Sequence, residues 1–191
     1  MRIVGGRRRG RRLDAPAGRD VRPTTDRVRE SLFNVLAHSG WGPDGGDPVS
    51  GATVLDAFCG TGALALEALS RGAARAVLMD VGPVSLDIAR RNVAHLGEGD
   101  RATVLRADAT RPPPARESAG LVFLDPPYGR DLTGPALAAL DAAGWLAEGC
   151  LCVVEAAKTD DPAPPTGFVA LGERRYGDTK VLFWRRRTED G

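Results

Sequence analysis

Residues 53–72 read "TVLDAFCGTGALALEALSRG", and three local rules meet in this stretch. The run from Val54 is apolar and ends on an acid, Asp56, as a strand buried on both faces does. Gly60 and Gly62 suit a tight turn from strand to helix. "ALALEALSRG" then carries apolar residues over helical length and stops at Gly72, which predicts a helix folded back on the strand. Gly60, Gly62 and Ala65 match G-x-G-x-x-[GA], and Asp80 lies 20 residues beyond Gly60. That pattern between strand and helix points to a ligand containing a nucleotide.

Outward from this unit the alternation repeats. "RAVLMD" (75–80), "ATVLRAD" (102–108), "GLVFLD" (120–125) and "CLCVVEA" (150–156) read as strands. Between them, "PVSLDIARRNVAHLG" (83–97) reads as a helix with Pro83 near its start and Gly97 at its end, and "TGPALAALDAAGWL" (133–146) as another. "GFVALGERRYG" and "TKVLFWRR" close the chain as an antiparallel pair. Upstream, a helix starts at Thr24 or Thr25 with Asp26 in its first turn, and Val28, Leu32, Val35 and Leu36 form one apolar face. "GWGPDGGDPVSG" (40–51) is a connector. Strands alternating with helices predict an α/β fold, a doubly wound and mostly parallel sheet with an antiparallel C-terminal strand pair.

A length of 191 residues suits one domain, and 42% hydrophobic with 27% charged residues excludes a disordered or fibrous chain. No apolar run approaches the ~20 residues of a membrane helix, so a cytoplasmic protein is expected. Cys150 and Cys152 would share one strand face and Cys59 stands alone, a poor set for disulfides. His38 and His95 fall in helical stretches and no Cys-x-x-Cys occurs, so no metal site is expected. The net charge of +1 hides an asymmetry: residues 1–30 hold ten arginines against four acids, whereas 31–172 hold ten basic and seventeen acidic residues. A basic arm on an acidic body suggests a polyanionic partner. No extra apolar helix is evident, and a monomer is expected.

Asp56 narrows the ligand. At the carboxyl end of its strand it would repel a pyrophosphate and attract a cation. S-adenosylmethionine has an adenosine, an ammonium and a sulfonium but no phosphate, and is favoured over NAD. Asp80 suits the ribose hydroxyls and Asp108, ending the third strand, the adenine amine. In an open sheet the carboxyl ends line one crevice, where Asp56, Asp80, Asp108 and Asp125 converge.

Asp125 opens "DPPY". Proline lacks an N–H and fixes φ, so this is a stiff element offering acceptors only, the Asp125 carboxylate and nearby carbonyls. Such an edge complements an exocyclic amine with two N–H donors. Asp125 then accepts the proton, and Tyr128 stacks on the base.

"DPPY" with "DAFCGTGAL" resembles motifs IV and I of class I amino-methyltransferases. Together with "MRIVGG", "RPTTDRVRESLFNVL", "GALALEALSRGA" and "RRYGDT", nearly all of residues 1–185 resembles the RsmD-type bacterial 16S rRNA guanine-N2 methyltransferase family. The resemblance implies a Rossmann-like class I methyltransferase sheet over 52–187, a basic N-terminal arm and helix over 1–39 on the RNA side, and the connector 40–51 between them. It implies transfer of a methyl group from S-adenosylmethionine to one guanosine of 16S rRNA, within an assembled or assembling small ribosomal subunit, with S-adenosylhomocysteine as product. The implied catalytic residues are Asp125, Pro126, Pro127 and Tyr128. Asp56, Phe58, Gly60, Thr61, Gly62, Asp80, Asp108 and Ala109 are the implied cofactor set. Arg7, Arg8, Arg9, Arg11 and Arg12 would grip phosphates, and Arg22, Thr24, Thr25 and Arg29 would border the substrate entrance. Two departures stand out: Asp80 replaces a more usual Glu, and the connector is long. Two alternatives stay open at this point, an adenine-N6 DNA methyltransferase and a non-catalytic RNA-binding assembly factor on the same fold.

Overall fold

A computed structural model describes residues 1–16, 25–127 and 129–188. Five strands run parallel: β1 (Thr53–Ala57), β2 (Arg75–Asp80), β3 (Ala102–Arg106), β4 (Ala119–Leu124) and β5 (Leu146–Ala157). Two more, β6 (Phe168–Tyr176) and β7 (Thr179–Arg186), add antiparallel pairings. The spatial order is β3-β2-β1-β4-β5-β7-β6. The chain therefore winds outward from β1 to β3 and then returns to lay β4 on the other side of β1. Between β1 and β4 the strand order reverses, and there a crevice opens beyond the carboxyl ends. The last strand, β7, inserts between β5 and β6, which leaves β6 as the edge.

Among the described residues four α-helices cover the sheet: α1 (Asp26–Ala37), α2 (Ala63–Ser70), α3 (Pro83–Leu96) and α4 (Thr133–Ala142). Odd and even strand positions face opposite sides. Val54, Leu121, Phe123 and Val153 join Leu32, Phe33, Leu66 and Ala89 of α1, α2 and α3 in one core layer. Leu55, Val122, Leu124 and Val154 join Leu137 and Leu140 of α4 in the other. Thr25 caps α1 by accepting from the Val28 amide at 3.3 Å. Gly97 ends α3 at φ 67°, the left-handed conformation that a glycine takes at little steric expense.

One stretch departs from the sequence reading. The helix read over 133–146 stops at Ala142, because Gly144 turns left-handed (φ 80°) and swings Trp145 into the core. The indole Nε1 donates to the Pro113 carbonyl at 2.8 Å, and β5 begins at Leu146, four residues before the strand read from the sequence. The N-terminal arm is folded onto the body. Ile3 N donates to Arg11 O (2.9 Å), Gly10 N to Ile3 O (2.8 Å) and Leu13 N to Met1 O (3.1 Å). This loop buries Ile3 and Leu13 in the same core layer as α1 and α2. Full burial of such a side chain contributes about 1.5–3 kcal/mol. No helix among the described residues is long and apolar enough to cross a membrane.

Candidate active site

The site is built where β1 meets its glycine turn. Phe58 takes φ 67°, unusual for a side chain of its size, followed by Gly60 at 53° and Gly62 at 79°. The turn is tied down by Cys59 N donating to Met79 O (2.9 Å) and closed by Gly62 N donating to Cys59 O (2.7 Å). A Cβ on Gly62 would run into Leu78 Cδ2, so glycine here lets α2 start close against β2. A Cβ on Gly60 would meet nothing, and the turn is open on that side. Thr61 is buried beside it, its carbonyl accepting from Asn92 Nδ2 at 3.0 Å.

The four aspartates have different surroundings. Asp80 accepts from Gly60 N at 2.9 Å through one oxygen and from Gly82 N at 2.7 Å through the other. The shorter acid thus braces the glycine turn, a role its sequence position did not reveal. Asp56 is only 1% exposed and accepts from Ala65 N at 3.1 Å. The sequence reading had it facing the crevice, and the structure adds that it is covered there. Burial pushes its carboxyl up to about 7 despite the Ala65 hydrogen bond, and the Asp80 charge adds to the rise. Asp108 holds its charge easily, because Thr110 donates to it through Oγ1 (2.7 Å) and N (2.8 Å) and lowers its pKa. Ala109 next to it is buried.

Asp125 follows the last residue of β4. Burial first, then the Glu155 charge, then Asp56, push its carboxyl well above the usual carboxylate range. Pro126 and Pro127 line a cavity of about 560 Å³ together with Glu155, Leu132 and Trp184. The fold therefore brings Asp56 within electrostatic reach of both Asp80 and Asp125 around the β1–β4 reversal. Asp108 interacts instead with Thr110 and Arg111. Glu155 was not singled out in the sequence, although an acid at the carboxyl end of the fifth parallel strand obeys the rule that located the other four.

The residues assigned to RNA separate into groups. Arg29 is a correction: it is 0% exposed, donating to Asp26 Oδ1 at 2.8 Å and to the Arg2 carbonyl, with the buried Glu67 carboxylate 3.6 Å away. An arginine so enclosed cannot border an entrance. Arg8 Nε donates to Glu98 (3.0 Å) and Arg11 Nη2 to the His95 carbonyl (2.9 Å), so both are engaged at the C-terminal end of α3. Arg7, Arg9 and Arg12 are exposed. Thr25 is exposed as the α1 cap, while Arg22, Thr24 and the catalytic candidate Tyr128 lie outside the described residues.

The donor set suits the expected cofactor. The open backbone at Gly60 leaves room for an amino-acid moiety, buried Asp56 supplies a carboxylate for a cation, and the Asp80 oxygens keep lone pairs for hydroxyls. A family model described as conserved hypothetical protein 95 matches residues 1–185. Ribosomal RNA small subunit methyltransferase D of Escherichia coli is 36% identical over 99% of this chain and 91% of its own length. YlbH of Bacillus subtilis is 32% identical over 98% of this chain and 100% of its own. The solved structure of Escherichia coli yhhF matches with a TM-score of 0.81 at 36% identity, covering 99% of both chains. The glycine turn, its carboxylates and a match over nearly the whole length agree: the chain belongs to the RsmD-type family and is an S-adenosylmethionine-dependent methyltransferase.

Proposed function

We propose that the protein methylates the exocyclic N2 amine of a guanosine in 16S ribosomal RNA, in the cytoplasm, on assembled or assembling small subunits. The observation that carries this reading is the Asp125-Pro126-Pro127 element that follows β4, next in register to the glycine turn after β1, with Pro126 and Pro127 on the wall of a cavity. The rRNA methyltransferase name of the Escherichia coli relative supports the substrate.

Asp56, Phe58, Gly60, Thr61, Gly62, Asp80, Asp108 and Ala109 would hold the cofactor, which when bound supplies a methyl group on a positively charged sulfur. The N2 lone pair of guanine is delocalised into the ring and is a weak nucleophile. Asp125 and the Pro126 carbonyl accept the amine protons and turn that lone pair out of the ring plane. As the new N–C bond forms, the nitrogen becomes cationic and its proton passes to the Asp125 carboxylate. Burial and the neighbouring acids raise the proton affinity of Asp125, which strengthens it as the acceptor of that proton. Tyr128 stacks on the base, an interaction of about 1–3 kcal/mol. The base reaches the cavity from a loop or by extrusion. Labelled S-adenosylmethionine offered with small subunits, protein-free rRNA and duplex DNA tests the reading. N2-methylguanosine in the ribosomal samples alone is expected, and N6-methyladenine in the DNA would overturn it.

Asp56 makes cofactor binding pH-dependent. A bound cation favours its ionised form, so below about pH 7 binding must expel a proton. Affinity for S-adenosylmethionine therefore rises with pH up to about 7, by at most about tenfold per unit, and then levels. Calorimetric titration across that range checks this, and Asp56→Asn gives a weaker, flat profile.

Arg7, Arg9 and Arg12 are proposed phosphate contacts. The arm's tip packs on Ser70 and Glu98, where α2 and α3 end, and these ends lie at the amino end of the parallel strands. Contacts made there reach RNA remote from the target base, which fits a large structured substrate. Replacing all three with Gln is expected to lower the slope of log K against log salt by about 2, at roughly 0.7–0.9 per lost contact. An unchanged slope in filter binding sinks this assignment.

A further inference from the structure

Leu124 of β4 is in register with Val154 of β5, so the next residues, Asp125 and Glu155, stand side by side. Leu121 and Phe123 of β4 enter the same core layer as Leu151 and Val153 of β5, and the two acids continue that face past its last apolar rung. Glu155 lines the cavity with Pro126 and Pro127, and its charge is felt at Asp125. The mechanism above gives it no task.

We propose that Glu155 accepts the N1–H of the target guanine while Asp125 accepts from the neighbouring N2 amine, so that the pair of carboxylates selects guanine. This rests on the guanine-N2 reading. Guanine presents two donors side by side on this edge, N1–H and N2–H, and paired carboxylates are the matching acceptors. Adenine presents its N1 lone pair beside the N6 amine, and that lone pair would face the Glu155 charge. A site built to bond a substrate N–H rejects an analogue lacking it far more strongly than an apolar pocket rejects a missing methyl group.

The probe is 2-aminopurine riboside, which keeps the N2 amine but has a bare acceptor at N1. It is ligated into rRNA at the guanosine that the wild type methylates, and reconstituted into small subunits. The wild type is expected to favour guanosine over 2-aminopurine by about 10²–10³-fold in kcat/KM. Glu155→Gln, whose amide both accepts and donates, is expected to narrow that ratio to within about tenfold while still binding S-adenosylmethionine with wild-type affinity. If the variant loses the same factor on both substrates, Glu155 has a structural role and the proposal is overturned. If the unmodified protein transfers no methyl group to guanosine, the N2 reading itself fails and the proposal with it. Only that second failure shows in the wild type.

Discussion

Asp125→Ala is expected to lower kcat by about 10²–10⁴-fold, the range for removing a positioned proton acceptor, with S-adenosylmethionine affinity changed far less. The carboxylate has two tasks in the proposed mechanism, holding the amine and receiving its proton, and alanine removes both. Asp125→Asn separates them: the amide oxygen still accepts one hydrogen bond, but the charge and the base are gone. Stability moves the other way. In the folded state Asp125 binds its proton more tightly than in the unfolded chain, through burial and the charges of Glu155 and Asp56. Its stabilising contribution is therefore fully present below the unfolded pKa and is lost as pH rises through the folded value. The Asn variant lacks this loss, so its melting temperature should gain on that of the wild type as pH rises, while it is nearly inactive. Initial rates beside calorimetric melting distinguish this from misfolding. An Asn variant that melts lower and keeps its activity would remove Asp125 from the chemistry.

Glu67→Ala should destabilise the protein by about 3–5 kcal/mol, because it removes a buried carboxylate from beside the guanidinium groups of Arg29 and Arg71. Glu67 and Arg29 are both 0% exposed. The Glu67 carboxylate accepts from Val4 N at 2.9 Å and from Arg71 Nε at 2.7 Å, and lies 3.6 Å from Arg29 Nε. One acid thus ties the N-terminal arm, α1 and α2 together. At about 2–4 °C per kcal/mol for a chain of this size, the melting temperature falls by roughly 10 °C. Hydrogen exchange at the Val4 amide should accelerate more than at β1, since Val4 loses its acceptor directly. A melting temperature within about 2 °C of wild type would show that water repairs the cluster.

Much of the fold was legible because its rules are local. Strand and helix periodicity, the left-handed glycines at 60, 62 and 97, and the stiff prolines at 126 and 127 act through dihedral preferences spanning a few residues. The glycine turn and "DPPY" were readable for the same reason: each is a short segment whose backbone requirements dictate its residue types. The helix end at Ala142 was misread because Trp145 looks like one more apolar helical residue. Only the Pro113 carbonyl, far along the chain, supplies its indole partner.

What the sequence determined by itself was the class of sheet, the glycine turn and the stiff acceptor-only element that follows β4. The tertiary structure alone decided what the charged residues do. Arg29 reads as an RNA-facing arginine until α1 and α2 pack and Glu67 meets it in the core. Asp80 reads as a ribose ligand, and only the folded turn shows that it also accepts from the Gly60 amide. Glu155 reads as an ordinary strand residue until β5 docks beside β4 and sets it next to Asp125. The reason is physical: backbone preference is a property of a short window, whereas the role of a charge depends on burial and on partners that only the assembled topology brings within a few ångströms.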